Sequence, residues 1–133
     1  MAIVYNKQLT EGFKYIPEDQ RDDKKPFSVT IKPIDSVRLV TLEDGLLKRG
    51  QDNTLSISTG SYNVSLCKNA LIGWDNMIDE KGKVLDIDLE ATGYISNDSL
   101  SNLPTNLITE IAGVIAASSQ DPANIQLFIS EDK

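Results

Sequence analysis

Residues 61–90 read SYNVSLCKNALIGWDNMIDEKGKVLDIDLE, and they limit what the chain can fold into more than any other stretch. Cys67, Ala70, Leu71, Trp74 and Ile78 recur at i, i+3, i+4, i+7 and i+11, the spacing of one apolar stripe along a helix. This predicts a helix over about 61–78, with Ser61 as its N-cap and Trp74 as its core-facing anchor. Gly82 closes the turn that follows. Leu85, Ile87 and Leu89 then alternate with Asp86, Asp88 and Glu90, the period of a half-buried strand. A helix–turn–strand unit of this kind belongs in an α+β domain.

Ahead of it, residues 1–26 show no core-building period. Ile3, Val4 and Tyr5, then Phe13, Tyr15 and Ile16, are apolar. The charged run from Pro17 to Pro26 is bracketed by prolines and reads as an exposed linker. We therefore expect residues 1–26 to be an extended arm anchored on a neighbouring chain, and residues 27–130 to be a single domain. Phe27, Val29 and Ile31 alternate with Ser28, Thr30 and Lys32, a strand stopped by Pro33. Residues 34–49 support two readings: Asp35 as N-cap with Leu39, Leu42 and Leu46 favours helix, whereas Val37, Leu39 and their β-branched neighbours favour strand. Leu55 and Ile57 mark a short strand ending at Gly60.

Beyond the strand at 84–89, residues 91–102 are polar and predict a loop. Pro104 suits the first position of a helix, where its missing N–H costs nothing. Leu107, Ile108, Ile111 and Ile115 carry the stripe of that second helix, over about 104–118. Ile125, Leu127 and Ile129 then alternate with polar neighbours and Phe128, a short final strand or extended tail. The expected architecture is a small α+β domain, its mixed or antiparallel sheet packed by the two main helices at 61–78 and 104–118.

The chemistry is narrowed mostly by what is missing. The 133 residues contain no histidine, which removes Ser-His-Asp and Cys-His nucleophile activation and most transition-metal sites. The one cysteine cannot form an internal disulfide and lies on the apolar stripe, so it reads as a core thiol. A net charge of −7 opposes nucleic-acid binding, which needs clustered cations. No apolar run reaches membrane-spanning length, and the first fifteen or so residues lack a signal-peptide pattern. The twelve residues Asp79–Glu90 have the length of a calcium loop, but Lys81, Lys83 and Val84 stand where that loop needs oxygen ligands and glycine. Gly82-Lys83 is followed by Val84, so no phosphate-binding loop is present there either. Asp86, Asp88 and Glu90 read as a solvated or partner-facing acidic row. We expect no catalytic residues, no metal and no cofactor.

Three pieces together resemble small tail-module proteins of tailed bacteriophages. Lys32-Pro33-Ile34-Asp35-Ser36, after an early strand, is similar to the opening of such proteins. Leu71 to Val84, with Gly73-Trp74 and Asp79 followed by Gly82, looks like a signature of tail-assembly and minor virion proteins. Leu103-Pro104 leading into the helix Leu107–Ser118 is similar to their ending. The resemblance covers roughly residues 30–119. It implies a non-enzymatic tail or baseplate component, or a tail-assembly factor, that contacts other tail proteins and copies of itself. Its place would be the virion, or the host cytoplasm during assembly, with no nucleic-acid or membrane partner. The candidate contact residues are Ile3, Val4, Tyr5, Phe13, Tyr15, Ile16, Asp86, Asp88 and Glu90, and the structural anchors are Trp74, Gly82 and Pro104. The alternative is a soluble phage-encoded inhibitor whose acidic surface binds a basic surface of a host or defence protein.

Overall fold

A computed structural model describes residues 11–44, 47–49, 55–57 and 59–128. In chain order it contains β1 (Phe13–Tyr15), β2 (Ser28–Ile31), α1 (Ser36–Asp44), β3 (Leu47–Arg49), β4 (Leu55–Ile57), α2 (Thr59–Lys68), β5 (Leu71–Asp75), α3 (Asn97–Leu100) and α4 (Thr105–Gln120). Turns of 3-10 helix occupy Glu18–Gln20 and Pro122–Leu127. β1, β2 and β5 form an antiparallel sheet with β2 in the middle, and β3 pairs with β4 in a separate antiparallel ribbon. α2 packs on α4, and α1 touches both. This is a small α+β domain.

The expected strand at Phe27 is β2, whose Val29 and Ile31 are fully buried. The two readings of 34–49 resolve in favour of helix over Ser36–Asp44. Asp35 caps it: its Oδ1 accepts the Arg38 N–H at 2.8 Å, and its carbonyl accepts that of Leu39 at 2.9 Å. Gly45 lies outside the described residues. The second main helix stands as α4, with Ile111, Ala112, Val114 and Ile115 buried. Pro104 sits at its N-cap, one position earlier than expected. There its carbonyl accepts the Leu107 and Ile108 N–H groups, each at 3.0 Å.

The first main helix is shorter than its stripe. It starts at Thr59, which places Ser61 inside the first turn, and ends at Lys68. Asn69 closes it, its Nδ2 donating to the Ser65 carbonyl at 2.7 Å. Leu71, Ala70 and Trp74 are buried as expected, but Leu71 and Trp74 reach the core from a strand. A straight strand would turn residues three apart to opposite faces. The register shift between Thr30 and Ile31 removes that conflict: Val29 pairs with Trp74 and Ile31 with Leu71, so β5 carries one extra residue. Such a bulge returns both side chains to one face. Ile78, the last member of the stripe, is exposed.

Three further expectations are corrected. Residues 84–89 form no strand; single bridges join Ile78 to Val84 and Leu89 to Ile95. The Asp88 N–H bonds the Ser99 hydroxyl at 2.7 Å and so is diverted from a strand ladder. The loop 91–102 contains α3, capped by the Ser96 hydroxyl. Pro122 to Leu127 is 3-10 helix, because Asp121 takes the Ala123 N–H at 3.0 Å and Pro122 fixes the first turn. Ile129 lies outside the described residues.

The N-terminal segment also differs from a detached arm. β1 pairs with β2 from Phe13↔Ile31 to Tyr15↔Val29, and Phe13, Tyr15 and Pro17 are buried in the domain's own core. The short strand is flanked by Gly12 and Pro17, which left too few residues for a period to show. Gly12 is required there: its φ is +85°, and a Cβ would lie 2.9 Å from the Ile31 carbonyl oxygen. Arg21 to Lys25 remain exposed, as a linker would be.

Candidate functional sites

The tripeptide Lys68-Asn69-Ala70, at the junction of α2 and β5, borders a groove that three cations line. Lys32, just past β2, donates its backbone N–H to the Ala70 carbonyl at 2.8 Å. Arg38 on α1 donates Nε to Asn69 Oδ1 at 3.1 Å, while Asn69 is itself held on the Ser65 carbonyl. Lys68 is the preceding residue. These side chains line an open groove of about 680 Å³. Pro33, Ile34, Asp35 and Leu42 also line it, as do Glu90, Thr92 and Tyr94 from the stretch that precedes α3. The Ile95 N–H on the Leu71 carbonyl, at 2.9 Å, and the Glu90 N–H on the Tyr94 carbonyl, at 2.8 Å, hold that stretch in place.

A second hollow of about 360 Å³ lies between Pro17, Phe27, Met77, Pro104, Leu107 and Glu110, among others. At its edge the Tyr15 hydroxyl donates to Glu110 Oε2, which also accepts the Glu18 N–H at 3.1 Å. Burial, and then the hydrogen bond to Glu110, push the Tyr15 phenol well above its ordinary pKa. This clasp ties the segment Tyr15–Glu18 to α4.

The third feature is the turn between Ile78 and Val84. Asp79 Oδ1 accepts the N–H groups of Lys81 at 2.8 Å and Lys83 at 2.9 Å, while the Asp79 carbonyl accepts that of Gly82 at 3.0 Å. Gly82 has φ +82°, as a turn residue should. The turn carries Ile78 and Val84 as a bridged pair, 59% and 60% exposed. On α1, Val37 is 78% exposed and Val40 56%.

Ile3, Val4 and Tyr5 lie outside the described residues. Phe13 and Tyr15 are core, and Ile16 is half-buried. Asp86, Asp88 and Glu90 are all exposed, and among the described residues none has a lysine or arginine within ion-pair distance. Glu90 also borders the basic groove. Trp74 is 8% exposed, donating Nε1 to the Leu85 carbonyl at 2.9 Å, with its ring 6.2 Å from that of Phe27. Cys67 is fully buried, and burial pushes its thiol up to about 12, far from a reactive thiolate. The groove residues Lys32, Arg38, Lys68 and Asn69 escape a linear reading because they are dispersed and adjoin no other cation in sequence. Only the pairing of β2 with β5 brings them together.

Among the described residues, no group of three or more Cys, Asp or Glu is placed to hold a metal ion, and no helix is long and apolar enough to cross a membrane. Comparison with family models, curated proteins and solved structures found no match.

Proposed function

We propose that this chain works by protein–protein contact and without catalysis, as a small component or assembly factor of a bacteriophage tail. Its partners are other tail proteins and copies of itself, in the virion or in the host cytoplasm during assembly. The observation that supports this reading most is the braced turn Ile78–Val84. Two apolar side chains stand more than half exposed on a backbone fixed by Asp79 and Gly82, so little conformational entropy is lost when a partner covers them. This turn also belongs to the segment Leu71 to Val84, one of the three pieces that resemble tail-module proteins.

The test is mass spectrometry of purified particles and of tail intermediates from a phage carrying this sequence. The chain is expected in one of them at a fixed ratio to the major tail protein. Absence from both refutes the reading.

One observation favours the second reading, a soluble inhibitor of a basic host or defence protein. Asp86, Asp88 and Glu90 are exposed with no cation in ion-pair range among the described residues, which leaves their charge available to a basic surface. That reading predicts a free monomer in infected-cell lysate, captured by a basic protein and released by salt. A tail protein would instead sediment with assembly intermediates.

A further inference from the structure

We propose that the groove around Lys68–Ala70 binds a compact oxyanion, the phosphoryl or carboxylate group of a ligand. The inference goes beyond the contact role above and stands whether or not that role holds. Its first support is the lining: Lys32, Arg38 and Lys68 all border one groove, where the Lys32 backbone N–H is held on the Ala70 carbonyl and the Arg38 Nε on Asn69. Like charges held at one groove repel each other, and a bound anion relieves that repulsion.

The second support is the posture of Arg38. Asn69 takes its Nε, and Asn69 is in turn fixed on Ser65. The guanidinium is thereby oriented, and its two Nη groups form the fork that matches an oxyanion bidentately. Two carboxylates, Asp35 and Glu90, line the groove with the three cations, which leaves the cations in excess by one. Asp35 is held in place as the cap of α1 by the Arg38 N–H. Glu90 borders the groove in the same stretch as Thr92 and Tyr94. Tyr94 and Thr92 add hydroxyl donors, and Pro33, Ile34 and Leu42 are the apolar residues of the lining.

The test is an amide-resolved NMR titration of the full chain with inorganic phosphate and, separately, with acetate, at constant ionic strength. Saturable shifts confined to residues 32–38, 68–71 and 90–94 are expected. Arg38→Gln and Lys68→Gln should each weaken binding at least tenfold, while the paired control Lys24→Gln/Lys25→Gln leaves it unchanged. A stronger response to phosphate assigns a phosphoryl ligand, and a stronger response to acetate a carboxylate. Shifts that never saturate, that spread over all lysines, or that survive Arg38→Gln overturn the proposal. Unchanged circular dichroism of the Gln variants separates lost binding from lost fold.

Discussion

Trp74 offers the sharpest test of the sheet, because its ring and its N–H can be removed in separate steps. The ring is 8% exposed, pairs across to Val29 and lies 6.2 Å from Phe27, and its Nε1 donates to the Leu85 carbonyl at 2.9 Å. Removing a buried Trp to Ala costs about 3–5 kcal/mol. Trp74→Phe keeps most of the ring and loses the hydrogen bond, worth about 1 kcal/mol. Leu85 is half-buried, so its freed carbonyl can take water, and the indole atoms that Phe lacks add about 1–2 kcal/mol of lost burial. A domain of this size has roughly 5–15 kcal/mol of total stability. Trp74→Ala should therefore be marginal and Trp74→Phe fully folded. Urea unfolding followed by far-ultraviolet circular dichroism measures both as midpoint shifts at constant slope. A Trp74→Ala protein within about 1 kcal/mol of the parent would refute the burial argument. Equal costs for the two substitutions would refute the division between ring and hydrogen bond.

Two glycines should respond with opposite sign. Gly12→Ala meets positive φ and a backbone oxygen at 2.9 Å and should destabilise by more than about 1 kcal/mol. Gly113→Ala, exposed in α4 with open space around it, should stabilise by about 0.5–1 kcal/mol; both are read from urea midpoints. Deleting residues 1–26 removes Phe13, Tyr15 and Pro17 from the core and should abolish cooperative unfolding, against the arm expectation, under which the melting of the core would persist. Stability should fall as pH rises above about 9. The Cys67 thiol and the Tyr15 phenol are held protonated in the fold, the thiol up to about 12. Their contribution is complete below the ordinary values of about 8.5 and 10 and is lost as pH rises through the folded ones. Cys67→Ala should flatten that fall in urea midpoints measured from pH 8 to 11.

Where local chemistry decides, the sequence was readable: Pro33 ends β2, Asp35 caps α1, and α4 follows its stripe. The chain's centre misled for a physical reason. In a bulged strand, core residues can sit three apart, so Leu71 and Trp74 continue by coincidence the helical spacing of Cys67 and Ala70. Asn69, a residue that readily closes helices, was the available sign of the break. β1 is three residues long, below the length at which alternation is informative. Leu85 and Ile87 are half-buried while Asp86 and Asp88 stay out, but Leu89 is exposed, so the alternation marked sidedness over 85–88 alone and marked no strand. The acidic row was legible by type, whereas the groove cations depend on the β2–β5 pairing and could not be grouped beforehand.

That pairing also governs how the molecule reaches its native state. Ile31 meets Leu71 across about forty residues of chain, with α1, β3, β4 and α2 all between them. Closing so long a loop is penalised before any ladder contact repays it, and topologies dominated by such contacts are slow to form. α4, by contrast, forms from near neighbours on a far shorter timescale. The sole tryptophan sits on the late-arriving strand, so in stopped-flow refolding its fluorescence times completion of the sheet. Helical ellipticity that rises ahead of the tryptophan signal would mark the β2–β5 pairing as the last step, the one that also builds the groove around Lys68–Ala70.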